Sequence, residues 1–293
     1  MADISAPRGA RLFCILARDA RTAVIFRRGP SRWVQLIKWD TRKDQFEHGQ
    51  WFHGRVYERR CDLSPKGDKL IYFAAKYRKT LENEHESWTA ISRPPWFTAL
   101  ALWPHQMGAW HGGGLFDDEK RVLLNHRPLG AVLDPKFRVK GLTVRANPNA
   151  CGEDDPLYSM RLERDGWNLI QDGKFSKYNN RGWEAEKPQV WEKPHGKKSY
   201  ALRMILLGIH SIPNDDWYIL EFEVNDSVTK NVIRLGRASW ADWDHNGNLV
   251  FAREGRLYRQ KFRPKAPEDP VEIANFNGLK PEMIAAPRRA TIW

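Results

Sequence analysis

The sequence predicts an all-β protein, a single β-propeller of about six (alternatively five) four-stranded blades over residues 1–293. Three observations predict it. Short alternating apolar runs are separated by Asn-Gly, Glu-Gly and Pro-Lys-Gly turns, whose backbone conformations Gly and Asn adopt cheaply. Turn markers recur at Asp19, Pro65, Pro104, Pro148, Pro194 and His245, spaced 46, 39, 44, 46 and 51 residues apart. Helical periodicity is nearly absent, with Thr80 to Glu86 the one short candidate.

Taken in order, residues 1–9 read as a flexible tail. Arg11–Arg18 reads as a strand, and Thr22–Arg27 as a second beyond an Arg-Asp-Ala-Arg turn. Arg28-Gly29-Pro30 breaks the chain before a third strand at Trp33–Trp39, and a fourth lies around Phe46 to Phe52. A second marker follows the period: Trp-x-x-Leu/Ile opens the expected third strand at Trp33–Leu36, Trp88–Ile91, Trp167–Ile170 and Trp217–Leu220. Positions i and i+3 of a strand lie on opposite faces, so one residue of each pair is expected to pack on each neighbouring sheet. Near the end, Val271–Phe276 is a last strand, and 277–293 is expected to close the ring or cover its edge. An open last blade would otherwise present unpaired backbone groups.

Composition narrows the class. Three cysteines, Cys14, Cys61 and Cys151, are odd in number and widely spaced, which argues against a disulfide scaffold or zinc cluster and suits a reducing compartment. The apolar stretch Leu12–Ala17 is too short for a signal-peptide core, and no run approaches the roughly 20 residues of a membrane-spanning helix. A cytoplasmic protein with no membrane association is expected. Tryptophan is abundant, at 14 residues, and its recurrence at strand starts points to packing between blades.

Two stretches carry a family resemblance. Asp62-Leu-Ser-Pro-Lys-Gly-Asp-Lys-Leu-Ile-Tyr-Phe73 and Asp242-Trp-Asp-His-Asn-Gly-Asn-Leu-Val-Phe251 resemble the Asp-x-Ser-Pro-Asp-Gly-x-x-Leu/Ile-x-Phe/Tyr pattern of WD40-like and TolB-like propeller repeats. The pattern is degraded elsewhere: Pro148 lacks a following Gly, and the Pro104 unit carries a Gly-rich insertion. The resemblance implies an interaction platform, although some propellers are hydrolases.

Candidate chemistry is sparse. His111-Gly-Gly-Gly114 resembles an esterase oxyanion motif, but no Gly-x-Ser-x-Gly accompanies it, so a glycine-rich turn in close packing is the expectation. His105, His111 and His126 fit no compact metal-ligand spacing and read as packing or surface residues. Acidic clusters at Asp117-Asp118-Glu119, Glu153-Asp154-Asp155 and Asp215-Asp216 sit in expected loops, where two carboxylates would be needed for glycosidase chemistry. No catalytic residue, metal or cofactor is assigned.

A net charge of +12 and a pI near 9.7 raise nucleic acid as a partner. The expected loops between second and third strands sum to only +1, so the excess lies elsewhere. The best basic-aromatic stretch is Lys174-Phe-Ser-Lys-Tyr-Asn-Asn-Arg-Gly-Trp183, in which Lys174, Lys177 and Arg181 would meet phosphates while Tyr178 and Trp183 offer stacking faces. The reading these features favour is a non-enzymatic recognition or scaffold subunit that binds another protein or a ribonucleoprotein. The alternatives are a nucleic-acid-binding propeller acting through 174–183 and a glycosidase-like propeller hydrolase.

Overall fold

The turns marked in the sequence at Asp19, Pro65, Pro194 and His245 close hairpins, whereas Pro104 lies inside a strand, in the computed structural model, which describes residues 9–29, 32–76, 86–105, 108–178, 182–210, 216–262 and 267–293. The expected N-terminal tail (save Gly9) and the expected helix at Thr80–Glu86 (save Glu86) lie outside those residues. The described strands form five sheets. The chain divides into two compact units, one of Phe13–Arg161 with Gly278–Trp293 and one of Leu162–Asn277 with residues up to Leu12.

In the first unit, β1 (Arg11–Leu16), β2 (Thr22–Arg28), β3 (Trp33–Asp40) and β4 (Gln45–His53) form one four-stranded sheet in sequence order, as expected. The second sheet joins β5 (Arg55–Val56) and β6 (Asp62–Leu63) to β7 (Leu70–Ala75), then β8 (Ser87–Ser92) and β9 (Ala99–His105). The Ser-Pro-Lys-Gly turn between β6 and β7 is closed by the Gly67 N–H donating to Ser64 O at 2.8 Å, with Gly67 at φ +73°, a conformation in which a side chain would be strained. All six residues of β7 are buried, because both of its faces are covered. Leu70, Tyr72 and Ala74 pack against Val24, Phe26 and Leu36 of the first sheet. Ile71 turns the other way, to Trp103, Phe116, Val122 and Leu124. Each such aliphatic or aromatic side chain, once covered, contributes about 1.5–3 kcal/mol. The Trp88–Ile91 pair behaves as its spacing predicts, with Trp88 against the first cluster and Ile91 in the second.

The third sheet departs from the four-stranded expectation. β10 (Gly114–Phe116) and β11 (Arg121–Leu124) form a hairpin, but β12 (Thr143–Ala146) lies parallel to β11 after a connection running from Asn125 to Leu142. A parallel neighbour cannot be reached by a tight turn, so the chain needs a long crossover. The C-terminal segment belongs to this unit. Arg289 pairs with Glu47 of β4 at 3.0 Å, Arg93 donates to Ile292 O at 3.1 Å, and Trp293 packs against the Trp103 cluster.

A helix that the sequence reading missed, α1 (Leu157–Arg164), carries the chain between the units. In the second unit β13 (Asn168–Gln171) and β14 (Lys174–Tyr178) both pair with β15 (Gly182–Pro194), which continues through β16 (Tyr200–Ile209), β17 (Tyr218–Asp226) and β18 (Val232–Arg237). The sheet thus has six strands, β13 and β14 adding to the four from β15 to β18, and the marker Pro148 lies between β12 and α1 rather than between two paired strands. Pro194 behaves as expected of a turn between a first and a second strand: it ends β15 opposite Ala201 of β16, and the His195 N–H donates to Tyr200 O at 2.8 Å, closing the hairpin. Burial alternates along β16, and its less covered face carries Arg203 between Glu192 of β15 and Glu223 of β17, at 2.7 and 3.5 Å. The Trp167–Ile170 pair also departs from expectation, since Trp167 is buried while Leu169 and Ile170 of β13 are exposed.

The last sheet is the one the sequence describes most fully. β19 (Trp240–Trp243), β20 (Leu249–Arg253), β21 (Arg256–Gln260) and β22 (Val271–Asn275) run antiparallel in order. Asp244 organises its first turn by accepting the N–H groups of Asn246 and Asn248 at 2.8 and 2.9 Å, and Glu254-Gly255 closes the second with both residues at positive φ.

Candidate functional site

The residues from Lys174 to Trp183 fold as a hairpin, β14 against the start of β15. Lys174 is exposed and pairs with Glu186 of β15 at 2.5 Å, which raises its pKa. Trp183, opposite Lys177 in register, is 46% exposed. Arg181 and the side chains of Lys177 and Tyr178 lie outside the described residues. A strand has two sides in its sheet, and β15 gives one to β16, so β13 and β14 share the other. That side carries Leu169 and Ile170, exposed at 41% and 47%, where β13 meets Val190 and Trp191, and Trp183 further along β15, where β14 pairs with it. The acid-free stretch in the sequence is not acid-free in space. Pairing sets Glu184 opposite Ser176 and brings Glu186 onto Lys174, so the cations of the hairpin are interleaved with carboxylates.

A second polar assembly lies in the first unit, where the sequence spacing gave no sign of one. Its centre is Arg60, fully buried, in the short helical turn Glu58–Arg60 between β5 and β6. The guanidinium donates from Nε to Asp154 Oδ1 at 2.8 Å and from one terminal nitrogen to the carbonyls of Ala109 and His111, between the rings of Tyr57 and Phe73. Around it stand His105, His111 and His126, all buried, with ring centroids of 6.1 Å between His105 and His111 and 5.0 Å between His105 and His126. They come from the end of β9, the Gly-rich loop and the residues after β11, elements whose proximity is tertiary.

The hydrogen bonds fix the protonation of this cluster. Thr89 Oγ1 accepts the Gly113 N–H at 2.8 Å and stands 2.7 Å from His126 Nε2, to which its hydroxyl proton is directed. His126 Nδ1–H then donates to Gly130 O at 3.2 Å. His105 Nε2 donates to Trp110 O. Burial lowers the pKa of all three rings, and their mutual repulsion lowers it further for His111 and His126. His126 falls to about 4. The imidazoles are neutral at neutral pH, and both nitrogens of His126 and Nε2 of His105 make hydrogen bonds within the protein. His111 Nε2 has no partner among the described residues. No group of three His, Cys, Asp or Glu among them is arranged to hold a metal ion.

The glycines of His111–Gly114 are there for contact. A Cβ on Gly112 would lie 2.2 Å from the Phe73 ring, one on Gly113 would lie 2.2 Å from Arg60 O, and one on Gly114 would lie 2.5 Å from Leu123 O. The loop is pressed onto β7 and the Arg60 turn, as expected of a packing motif. The acidic clusters are engaged as well. Asp117 pairs with Arg145, Asp118 with Arg121, Glu119 with Lys69, Asp154 with Arg60 and Asp216 with Arg11.

No family model matches the chain, and no curated protein matches it. Among solved structures it is similar to the uncharacterized protein lmo1340 from Listeria monocytogenes EGD-e, at 10% identity and a TM-score of 0.30, over 92% of this chain and 67% of that one. It is also similar to the tricorn protease, at 8% identity and a TM-score of 0.22, over 91% of this chain and 22% of that one. With TM-scores this low, neither likeness says anything of fold or activity.

Proposed function

We propose that the five sheets are blades of one β-propeller and that the protein is a cytoplasmic, non-enzymatic recognition subunit. Its partner is another protein, alone or within a ribonucleoprotein, bound along the β13–β14 side of β15. The observation that carries the binding site is the exposure of Leu169, Ile170 and Trp183, each 41–47%, at two places along one side of β15: Leu169 and Ile170 where β13 meets Val190 and Trp191, and Trp183 in the hairpin with β14. Trp183 stands in the hairpin that also carries Lys174, Glu184 and Glu186, an exposed aromatic among charges of both signs, as at the rim of a protein interface. Nucleic acid fits this edge less well, since Glu184 and Glu186 would face the phosphates that the lysines attract. No helix among the described residues is long and apolar enough to cross a membrane.

The test is capture from the native host with nuclease treatment, comparing wild type with Ile170→Asp and Trp183→Asp. A protein retained after nuclease by the wild type and lost by both variants supports the reading. Loss of all partners on nuclease treatment, or full retention by the variants, overturns it. Salt-sensitive filter binding of single-stranded RNA that weakens when Lys174, Lys177 and Arg181 become Gln would establish the nucleic-acid alternative instead.

A further inference from the structure

The crossover between β11 and β12 in the first unit encloses an apolar crevice of about 400 Å³. Its floor is one face of the β11–β12 pair, where Leu124 sits opposite Ala146 in register and Val144 follows two residues earlier. Trp103 of β9 closes one end, and the crossover supplies Leu133, Val139 and Leu142 as a wall. No charged side chain lines it. Charge instead surrounds it. Between Arg127 and Arg145 the chain carries five cations, all exposed, against the single carboxylate of Asp134. Lys136, Arg138 and Lys140 alternate with Phe137 and Val139, so cations point out where their neighbours point in. At the same rim Leu129 and Val132 are 97% and 65% exposed.

β12 adds a backbone feature. It is the edge strand of its sheet. The N–H groups of Thr143 and Asn147 donate towards β11, to Lys120 O and Leu124 O, at 2.7 and 2.9 Å. Backbone groups alternate sides along a strand, so the N–H groups of Val144 and Ala146 point away from β11.

From these features we infer that the crevice is a docking site for an extended segment of a partner protein, bearing hydrophobic side chains flanked by aspartate or glutamate. Such a segment adds to the β12 edge through its backbone, places alternate side chains in the crevice and sets its carboxylates against Lys136, Arg138 and Lys140. The volume takes a few apolar side chains, and every residue that lines it is apolar. This surface is separate from the β13–β15 edge and stands whether or not that edge binds anything.

The test is fluorescence anisotropy on the full chain with a labelled peptide of alternating Glu and Leu, alongside Lys-Leu and Glu-Ser peptides of equal length. The Glu-Leu peptide binds, the other two do not, and added salt weakens the complex. Changing Lys136, Arg138 and Lys140 together to Gln weakens it about tenfold or more through lost charge complementarity. These three side chains are exposed, so the variant keeps its melting temperature. Val144→Glu abolishes binding, and hydrogen exchange at 143–147 slows when peptide is added to wild type. Absence of Glu-Leu binding, equal binding of the Lys-Leu peptide, or indifference to the triple variant overturns the inference. Preferential binding of phosphatidylserine vesicles or single-stranded RNA at the same residues overturns it too.

Discussion

Protonating His126 should destabilise the first unit, and the size of the effect follows from its surroundings. The ring is 1% exposed, accepts the Thr89 hydroxyl at Nε2 and faces two further imidazoles, His105 and His111. Its folded pKa is about 4 against an ordinary 6.5. Because the folded value is depressed, the unfolded chain binds the proton more tightly. Stability therefore holds above pH 6.5 and falls as the pH drops towards 4. The gap between 6.5 and about 4 corresponds to roughly 3 kcal/mol, fully lost below both values. His105 and His111 are shifted in the same direction and steepen the fall. The assay is urea unfolding at a series of pH values across that window, for wild type and His126→Gln. Glutamine keeps an acceptor for Thr89 and removes the titration, so the variant should show a shallower loss. Equal slopes for the two proteins, or a wild type whose stability is flat over the window, would refute the reasoning.

Four further substitutions test separate parts of the structure. Arg60→Met leaves Asp154 and the carbonyls of Ala109 and His111 without their donor. It should cost about 3–5 kcal/mol by denaturant midpoint, since one partner of a buried pair is removed. Gly112→Ala places a Cβ 2.2 Å from the Phe73 ring at φ +87° and should cost about 1–3 kcal/mol or more in thermal melts. Trp167→Ala removes an indole that is 4% exposed and carries Lys193 Nζ at 5.8 Å from its ring, for about 3–5 kcal/mol. Trp183→Ala, at an exposed position, should change stability by less than about 0.5 kcal/mol, so a large loss there would mean that the indole is packed rather than presented.

What was legible in the sequence was local. Asn246-Gly247, Glu254-Gly255 and Lys66-Gly67 specify their turns through residues that tolerate positive φ, and the strands beside them fall where the alternation puts them. The first sheet, the second and the last were readable for that reason. The merged six-stranded sheet was not, because β13 and β14 are short strands that share one side of β15, and nothing in their sequences names that neighbour. The parallel β12 was hidden for a related reason: four residues, Thr143–Ala146, carry no sign of the direction of their neighbour. In the basic-aromatic stretch Lys174 and Trp183 are exposed, but a linear count could not show that Glu184 and Glu186 return beside it. The histidine cluster was beyond sequence altogether, since no motif spaces residues at 105, 111 and 126. One signal did exist: three consecutive glycines, Gly112–Gly114, announce a close approach, and Arg60 is what they approach, together with Phe73 and Leu123.

The buried cluster and the crevice are connected through one short segment. His126, at the start of the crossover, donates to Gly130 O, while Arg127 donates to Ala150 O and the Asp134 N–H to Leu102 O at 2.9 Å. These contacts fix the start of the wall that Ala131 and Leu133 give to the crevice. A connection of this length without strands of its own would otherwise sample many conformations, each costing ordering entropy on binding. The polar network around Arg60 therefore has a positioning role that needs no chemistry. It holds the Gly-rich loop and, through His126, the base of the crossover. A partner arriving at the β12 edge then meets a wall already in place.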